Sequence, residues 1–121
     1  MRVDIISFRS LDVWNRSMDL VDSVIRESTS LPRAEFDLRR QIRRAAVSIP
    51  ANIAEGYRRK NRRGAYQNHI SIAMGSQGEL ETEFEIAFRN AWLDRATCSH
   101  MIELCNRVGA MLNRLHDSLD S

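Results

Sequence analysis

The densest group of chemically active side chains is a basic run at residues 58–63. It contains five cations within six residues, namely Arg58, Arg59, Lys60, Arg62 and Arg63. This run lies at the joint between the second and third predicted helices. A second basic group lies on the second helix itself and consists of Arg39, Arg40, Arg43 and Arg44. Like charges this close repel one another, so they need solvent, carboxylates or phosphates around them. Because a guanidinium grips carboxylate or phosphate through a rigid fork of donors, the arginine bias favours paired anion contacts.

The charge of the chain is unevenly distributed. The 121 residues have a formal net charge of +2. Residues 33–63 hold ten basic and three acidic side chains (+7), whereas the rest of the chain holds eight basic and thirteen acidic ones (−5). Phosphate contacts from this segment would give salt-dependent binding of RNA or DNA with weak sequence specificity. Alternatively, the arginines form a solvated face and make intersubunit ion pairs with the glutamates of residues 79–85.

Other candidate side chains lack the partners that catalysis or metal binding needs. His100 and Glu103 lie three residues apart, but in the reverse order of the Glu-x-x-His pairs of di-iron bundles, and no second copy occurs. His69 and His116 are isolated. No glycine-rich phosphate loop, nucleophile motif or zinc-spaced Cys and His set is present. We therefore expect a protein that is not an enzyme and has no metal or other cofactor.

Three aromatic residues, Trp14, Tyr57 and Trp92, have flat faces on which bases could stack. Trp14 lies on a predicted core stripe, which favours packing, and Trp92 could instead mark an oligomer contact. No apolar run approaches the ~20 residues of a membrane span, and the N-terminal ten residues lack a signal-peptide core. Cys98 and Cys105, about 10 Å apart on one helix, are beyond disulfide reach. These features predict a cytoplasmic protein with two buried thiols.

Four amphipathic stretches would position these side chains. Their apolar residues recur at spacings of three and four, which places them on one helix face. The predicted stripes are Leu11, Trp14, Met18, Val21 and Ile25, after a Ser10 N-cap; Leu38, Ile42, Ala45, Ile49 and Ile53; Tyr66, Ile70, Ala73, Gln77, Leu80, Phe84, Ala87 and Ala91; and Cys98, Cys105, Val108, Leu112, Leu115 and Leu119. The sequence therefore predicts an all-α fold with one domain over residues 1–121, an antiparallel up-down four-helix bundle.

Pro50 interrupts the second stretch. It has no N–H to donate and its ring crowds the carbonyl of Ala46, which costs about 3 kcal/mol in a helix interior and predicts a kink. Small residues surround it, and the facing stretch contains Gly75 and Gly78. Each glycine lowers helix propensity by about 1 kcal/mol relative to alanine. We expect close packing between the second and third helices to compensate.

Two segments, LRRQIRRAAVSIPANIAEGYRR (38–59) and YQNHISIAMGSQGELETEFEIA (66–87), resemble a known family. It is the four-helix-bundle family of proteins encoded in intervening sequences of bacterial large-subunit ribosomal RNA genes. These proteins are described as ribosomal-protein-like. The resemblance runs from FRSLDVW to MLNRL and departs from the family pattern at Met74, Gln77 and Gly78. The motif residues to which we assign structural roles are Pro50, Asn52, Glu55, Gly56, Gly75 and Glu81. Two structural roles are open for Asn52 and Glu55. They satisfy backbone groups freed by Pro50, or they pair across to helix 3. The functional alternative is that they form a polar site.

The resemblance implies a homo-oligomer, since pentameric barrels occur in this family, most of whose members have no established activity. The family includes the accessory variability determinant of diversity-generating retroelements, which binds nucleic acid and a reverse transcriptase through positive surfaces. The resemblance therefore implies three kinds of partner: further copies of the chain in a pentamer, nucleic acid and a reverse transcriptase. It implies no membrane partner. Together with the charge asymmetry, this predicts an oligomeric accessory protein that binds nucleic acid through arginines. The alternative is a structural or protein-interaction module with intersubunit ion pairs.

Overall fold

The computed structural model describes residues 7–120, which form four long helices. These are α1 (Asp12–Ser28), α2 (Phe36–Arg58), α3 (Arg63–Arg89) and α4 (Arg95–Ser118), with 3-10 helices at Phe8–Ser10 and Arg33–Glu35. No strand occurs in this part of the chain. Each helix packs against the next, and α4 packs back against α1. The predicted all-α four-helix bundle is confirmed.

The core is formed by one stripe of residues from each helix. In α2, α3 and α4, most of the buried residues are those that the apolar spacing predicts. Ile42, Ile49 and Ile53 of α2 are fully buried, as are Ile70 and Leu80 of α3. Because these positions recur every three or four residues, they face the bundle axis together. None of the described helices has both the length and the apolar composition of a membrane span.

The two cysteines contribute free thiols to the core stripe of α4. Cys98 and Cys105 are both buried and unbonded, as expected. Burial raises the pKa of both thiols, that of Cys105 to about 12. Since the thiolate is the reactive form, these cysteines serve as core residues.

The start of α1 differs from the prediction. The helix begins at Asp12, and Leu11 precedes it without a side-chain cap. Ser10 is not the N-cap, because it belongs to the 3-10 helix Phe8–Ser10, where its hydroxyl donates to the carbonyl of Ser7 at 2.7 Å. The 3-10 turn thus occupies the place of the predicted first helical turn.

The buried face of α1 also differs from the predicted stripe. Its buried residues are Val13, Ser17, Leu20, Val21, Val24 and Ser28. Met18 and Ile25, both predicted to be in the core, are 38% and 43% exposed. Two serines take core positions because their hydroxyls donate to carbonyls of their own helix, Ser17 to Trp14 at 2.8 Å and Ser28 to Ile25 at 3.0 Å. Apolar spacing was therefore wrong for Met18 and Ile25, whereas Val21 is buried as predicted and Leu11 and Trp14 pack against the edge of the core.

The glycines that allow close helix approach are not the expected ones. A Cβ added at Gly75 or Gly78 would meet no atom within 4 Å, so the predicted compensation by close packing at these two positions is wrong within the chain. Gly56 has that role instead, since a Cβ there would lie 2.9 Å from the Cβ of His69 and 3.2 Å from the carbonyl oxygen of Tyr66. The closest approach between α2 and α3 therefore lies near the turn that connects them.

Pro50 is buried inside α2, which is helical from Phe36 to Arg58; the kink at Pro50 stays a prediction. α3 ends at Arg89, before Ala91, the last residue of the predicted stripe. Ala91 adopts a left-handed conformation with φ 62°, and the N–H of Trp92 donates to the carbonyl of Ala87 at 2.9 Å, a Schellman-type helix end. Ala91 is exposed and lies outside the helix, so its assignment to the core stripe is wrong.

Candidate nucleic-acid interface

The basic run 58–63 forms the joint between α2 and α3 at one end of the bundle. All of its residues are exposed. Backbone hydrogen bonds hold the turn, because the N–H of Arg59 donates to Gly56 at 2.9 Å and the N–H of Arg62 donates to Arg59 at 2.8 Å. The five cations are thus held on a short, well-defined turn.

Two of the joint arginines contact carboxylate or carbonyl oxygens of the chain. The Arg59 guanidinium lies 3.4 Å from the Glu55 carboxylate one turn earlier, where both side chains are about half exposed. Arg63 donates to the backbone carbonyl of Asp120 at 3.4 Å, near the end of the described chain. Exposed pairs of this kind contribute little to stability, so both guanidinium groups can exchange these acceptors for another anion.

Aromatic rings contact two other joint cations. The Lys60 ammonium lies 4.2 Å from the ring centroid of Tyr57 and donates to its hydroxyl at 3.1 Å. The guanidinium carbon of Arg58 lies 5.6 Å from the ring centroid of Phe8, and that of Arg9 lies 4.7 Å from the same ring. The 3-10 helix before α1 therefore adds Arg9 and Phe8 to the joint, a contact between distant parts of the chain that sequence spacing does not reveal.

We call the resulting group the joint cluster: Arg9, Arg58, Arg59, Lys60, Arg62 and Arg63. Within residues 7–120, the pair between Arg59 and Glu55 is its one contact with a carboxylate within 4.0 Å. A concentration of weakly neutralised positive charge at one end of a protein attracts polyanions over a Debye length of about 10 Å.

The second basic group lies towards the other end of α2, and half of it is used within the fold. Arg39 donates to the carbonyl of Leu31 at 3.0 Å. Arg43 donates to the Ser28 hydroxyl at 2.8 Å and to the carbonyl of Ile25 at 3.4 Å. These bonds satisfy acceptors in the last turn of α1, where helix carbonyls lack intrahelical partners, and in the turn that follows it.

Arg40 and Arg44 remain exposed on the outer side of α2. Arg40 lies 3.7 Å from Asp37, and Arg44 has no carboxylate within 4.0 Å in the described part of the chain. Arg40 and Arg58 are separated by about 27 Å along the helix, given a rise of about 1.5 Å per residue. The structure therefore leaves the two basic groups as separate surfaces.

The motif residues of α2 meet α3 through a line of polar contacts. The hydroxyls of Ser48 and Ser76 lie 2.8 Å apart. The Asn52 amide donates to the carbonyl of Ser48 at 2.9 Å, and its oxygen lies 3.1 Å from Nδ1 of His69. Nε2 of the same ring lies 4.0 Å from the Glu55 carboxylate. Asn52 and Glu55 thus reach across to helix 3, which is one of the two structural alternatives that the sequence left open.

Glu81 holds a side chain that lies at the contact between α3 and α4. Its carboxylate accepts a hydrogen bond from Gln77 at 3.0 Å. Gln77, the polar residue of the predicted α3 stripe, is half-buried and lies against Gly109, where an added Cβ would be 3.0 Å from its amide carbon. This carboxylate therefore orients a polar side chain inside a close helix contact.

Sequence analysis missed the burial of Glu83, which is only 5% exposed. Its Oε1 has no hydrogen-bond partner in residues 7–120. Burial, with a smaller contribution from the charge of Glu79, raises the pKa of Glu83 to about 7. The side chain sits at a position between two core positions, Leu80 and Phe84, so its burial follows from helix geometry rather than from its chemistry.

The outer side of the α2–α3 pair is partly apolar. Val47 is 50% exposed, and Ile72 and Ile86 are 44% and 42% exposed. Gly75, which has open space around its Cα, follows Ile72 on the same side of α3. We call these four residues the α2–α3 outer face. Single exposed apolar residues are ordinary, but exposed apolar residues on both helices of one packed pair suit an interaction surface.

No group of three or more His, Cys, Asp or Glu side chains suited to a metal ion occurs in residues 7–120. A groove of about 580 Å³ lies between α1 and α4, with an apolar floor that includes Leu20 and Val108 and with Asp19 and Arg107 at its rim. Its lining carries both acidic and basic side chains, so it lacks the uniform positive charge of the joint cluster.

Comparison with known proteins places the fold in a family. The family model for the 23S rRNA-intervening sequence protein matches residues 9–114. The chain belongs to this family. Among solved structures, it is similar to a protein of unknown function from the S23 ribosomal protein family of Bacteroides thetaiotaomicron, with a TM-score of 0.80 at 23% identity, covering 86% of this chain and 97% of that chain. A search of curated proteins finds no match.

The family predicted from the two motifs is therefore confirmed, and the structural neighbour supports the same helical fold. The link to the retroelement determinant stays a prediction. Nucleic-acid binding, pentamer formation and the reverse transcriptase partner likewise stay predictions, since a likeness at 23% identity concerns the fold alone.

Proposed function

We propose that this member of the 23S rRNA-intervening sequence protein family is a non-enzymatic, cytoplasmic accessory protein that self-associates and binds nucleic acid through the joint cluster. The observation that carries the proposal is the set of six exposed cations at one end of the bundle, of which one contacts a carboxylate within residues 7–120. Phosphates supply the missing counter-charge. Two free buried thiols suit a reducing compartment.

Binding of this kind is driven by counterion release. Each phosphate neutralised by an arginine or lysine frees condensed counterions, so affinity falls steeply as salt rises. The contacts fix position along the backbone and carry no base information. Self-association brings several joint clusters to one strand, which raises avidity without new contacts. RNA is the first probe to use, given the ribosomal RNA genes in the family name, and a reverse transcriptase is the first protein partner to test, given the retroelement members.

The decisive variant replaces Arg58, Arg59, Arg62 and Arg63 with glutamine. A control variant replaces four exposed arginines away from the joint, Arg26, Arg33, Arg40 and Arg44, and so changes the net charge equally. We expect the joint variant to weaken RNA binding by roughly 100-fold or more near 0.1 M salt, and to flatten the slope of log affinity against log salt by about 0.7–0.9 per lost contact. The control should lose much less.

Sedimentation velocity and circular dichroism on both variants separate binding from folding. The joint lies in solvent, so its variant should keep the helicity and assembly of the parent. Equal losses of RNA affinity in both variants would show that net charge alone drives binding, and would remove the joint cluster from the proposal. Dissociation of the joint variant into monomers would instead show that its arginines contact another subunit.

The second candidate function is a structural or protein-interaction module, and the α2–α3 outer face favours it. Val47, Ile72 and Ile86 expose apolar surface that association with a second copy would bury, at about 25 cal/mol per Å². In this case, Val47→Glu and Ile72→Glu should disrupt assembly while RNA affinity per protomer stays unchanged. Sedimentation across a concentration series measures the first effect, and titration with a short RNA measures the second.

A further inference from the structure

Aromatic side chains gather at the same end of the bundle as the joint cluster. Phe8 and Trp14 form one pair, with ring centroids 5.3 Å apart and planes tilted by 57°. Tyr57 and Tyr66 form another, edge to face at 6.2 Å. Phe8, Trp14 and Tyr57 are half-buried, so each presents part of its ring to solvent. Aromatic rings lie among cations here, whereas carboxylates would be expected beside a purely structural positive cluster.

The contacts between these rings and the cations can be exchanged. An exposed cation–π contact, such as Arg9 over Phe8 at 4.7 Å or Lys60 over Tyr57 at 4.2 Å, is a weak interaction. A nucleic-acid base stacked on an aromatic ring is held more strongly. A base that replaced the cation on the ring would therefore bind with a net gain. The displaced side chain remains on the same turn, within reach of the adjacent phosphate.

A duplex cannot use these rings in the same way. Its bases are stacked on one another inside the helix, so a rigid protein turn reaches mainly phosphates and sugars. A single strand offers unpaired bases whose faces are free, and it bends to follow closely spaced cations and rings. The alternation of rings and cations at the joint thus matches alternating bases and phosphates.

We infer, as an extension of the nucleic-acid binding proposed above, that the joint cluster is a site for single-stranded nucleic acid, in which unpaired bases stack on Phe8 and Tyr57 while the surrounding cations bind phosphates. Arg9 and Arg58, which flank Phe8, hold the phosphates on either side of the stacked base. The site selects for strandedness, and not for sequence, because every base has a stacking face.

The test compares an unstructured oligouridine of roughly 12 nucleotides, within the usual size range of such sites, with an RNA hairpin duplex that has the same number of phosphates. We expect the parent chain to bind the single strand at least about tenfold more tightly at equal salt. Phe8→Leu should weaken single-strand binding by roughly tenfold, the equivalent of one lost stack, and leave duplex binding unchanged. Phe36→Leu is the matched control, since Phe36 is 57% exposed at the opposite end of α2.

A second readout uses Trp14, which contacts Phe8. The chain has two tryptophans, so Trp92→Phe leaves Trp14 as the sole emitter. Single-strand binding should change its fluorescence, and duplex binding should not. Phe8→Tyr, which keeps the ring, should retain single-strand affinity and shows that any loss in Phe8→Leu comes from stacking and not from misfolding.

The outcomes distinguish this inference from the proposal on which it rests. Equal affinity for single strand and duplex, with Phe8→Leu like the parent, overturns the single-strand site and leaves phosphate binding intact. Parallel loss of both ligands in Phe8→Leu also overturns it, because Phe8 would then act only by positioning arginines. Failure of the parent chain to bind either ligand overturns the proposed function and the inference together.

Discussion

The two ends of α2 use the same residue type in opposite ways. Near its start, Arg39 and Arg43 donate to carbonyls and a hydroxyl at the end of α1. At its end, Arg58 lies beside an aromatic ring and has no carboxylate within 4.0 Å in residues 7–120. The difference lies in what each group meets, because Arg39 and Arg43 have carbonyl and hydroxyl acceptors within reach, whereas the Arg58 guanidinium lies over the ring of Phe8. One group is therefore part of the fold, and the other is available to a ligand.

The largest effect that this comparison predicts is on stability. Replacing Arg39 and Arg43 with methionine keeps the apolar stems and removes the donors to the Leu31 carbonyl and the Ser28 hydroxyl, and one of the two donors to the Ile25 carbonyl. Since hydrogen bonds from charged groups are worth about 1.5–3 kcal/mol each when partly buried, we expect the free energy of unfolding to fall by about 2–4 kcal/mol. Urea denaturation followed by circular dichroism measures this change.

The matched control replaces Arg58 and Arg62, two arginines of the joint cluster, with methionine. Because these side chains are exposed, stability should change by no more than about 0.5 kcal/mol. A loss in the control as large as that in the Arg39 and Arg43 variant would mean that the joint arginines also hold the fold, and the distinction between the two groups would be lost.

The helix pattern was predictable where apolar residues fill the core, as in the isoleucines of α2. It failed in α1, because Ser17 and Ser28 enter the core by bonding to their own helix, and a serine has no apolar signal. The split between the two arginine groups was not predictable, because the acceptors of Arg43 are a backbone carbonyl and a hydroxyl rather than an acidic side chain. The contact between Phe8 and Arg58 depends on a three-residue 3-10 helix, which is too short for a periodic pattern.

A buried carboxyl on α3 sharpens the same comparison, because Glu83 has no cation within 4.0 Å in residues 7–120. The pKa of Glu83 is raised to about 7, first by burial and then by Glu79. The folded state therefore holds its proton more tightly than the unfolded state, whose carboxyl has an ordinary pKa near 4.5. The stability that this group contributes is full below about pH 4.5, falls as the pH rises towards 7, and is lost above it.

We predict that Glu83→Gln, which mimics the protonated carboxyl, stabilises the chain at pH 8 by about 1–3 kcal/mol and has little effect at pH 4.5. Urea denaturation of the variant and the parent across this pH range gives the difference directly. Glu103→Gln is the control, since this exposed carboxylate pairs with Arg107. A difference that does not grow between pH 5 and 7 would show that Glu83 is ionised with an unseen partner.

Two glycines also differ between regions of the molecule, and their replacement should change stability less than the substitutions above. Gly56 lies at the joint end of α2, where an added Cβ would meet the Cβ of His69 at 2.9 Å and the Tyr66 carbonyl oxygen at 3.2 Å. Gly56→Ala should cost about 1–2 kcal/mol of unfolding free energy, since strain from overpacking exceeds the gain in helix propensity. Thermal unfolding measures the change. A more stable variant would show that the α2–α3 contact yields easily.

The smallest predicted effect has the opposite sign and concerns Gly75, where an added Cβ would meet nothing within 4 Å. Gly75→Ala should raise the unfolding free energy of the protomer by up to about 1 kcal/mol, because alanine favours the helix. If a second copy approaches the α2–α3 outer face closely, however, the same methyl group should weaken assembly. Urea unfolding and sedimentation, each at several protein concentrations, separate the two contributions. Greater stability with unchanged assembly would place Gly75 in solvent and move self-association to another surface, whereas lower stability with unchanged assembly would contradict the open space at this position.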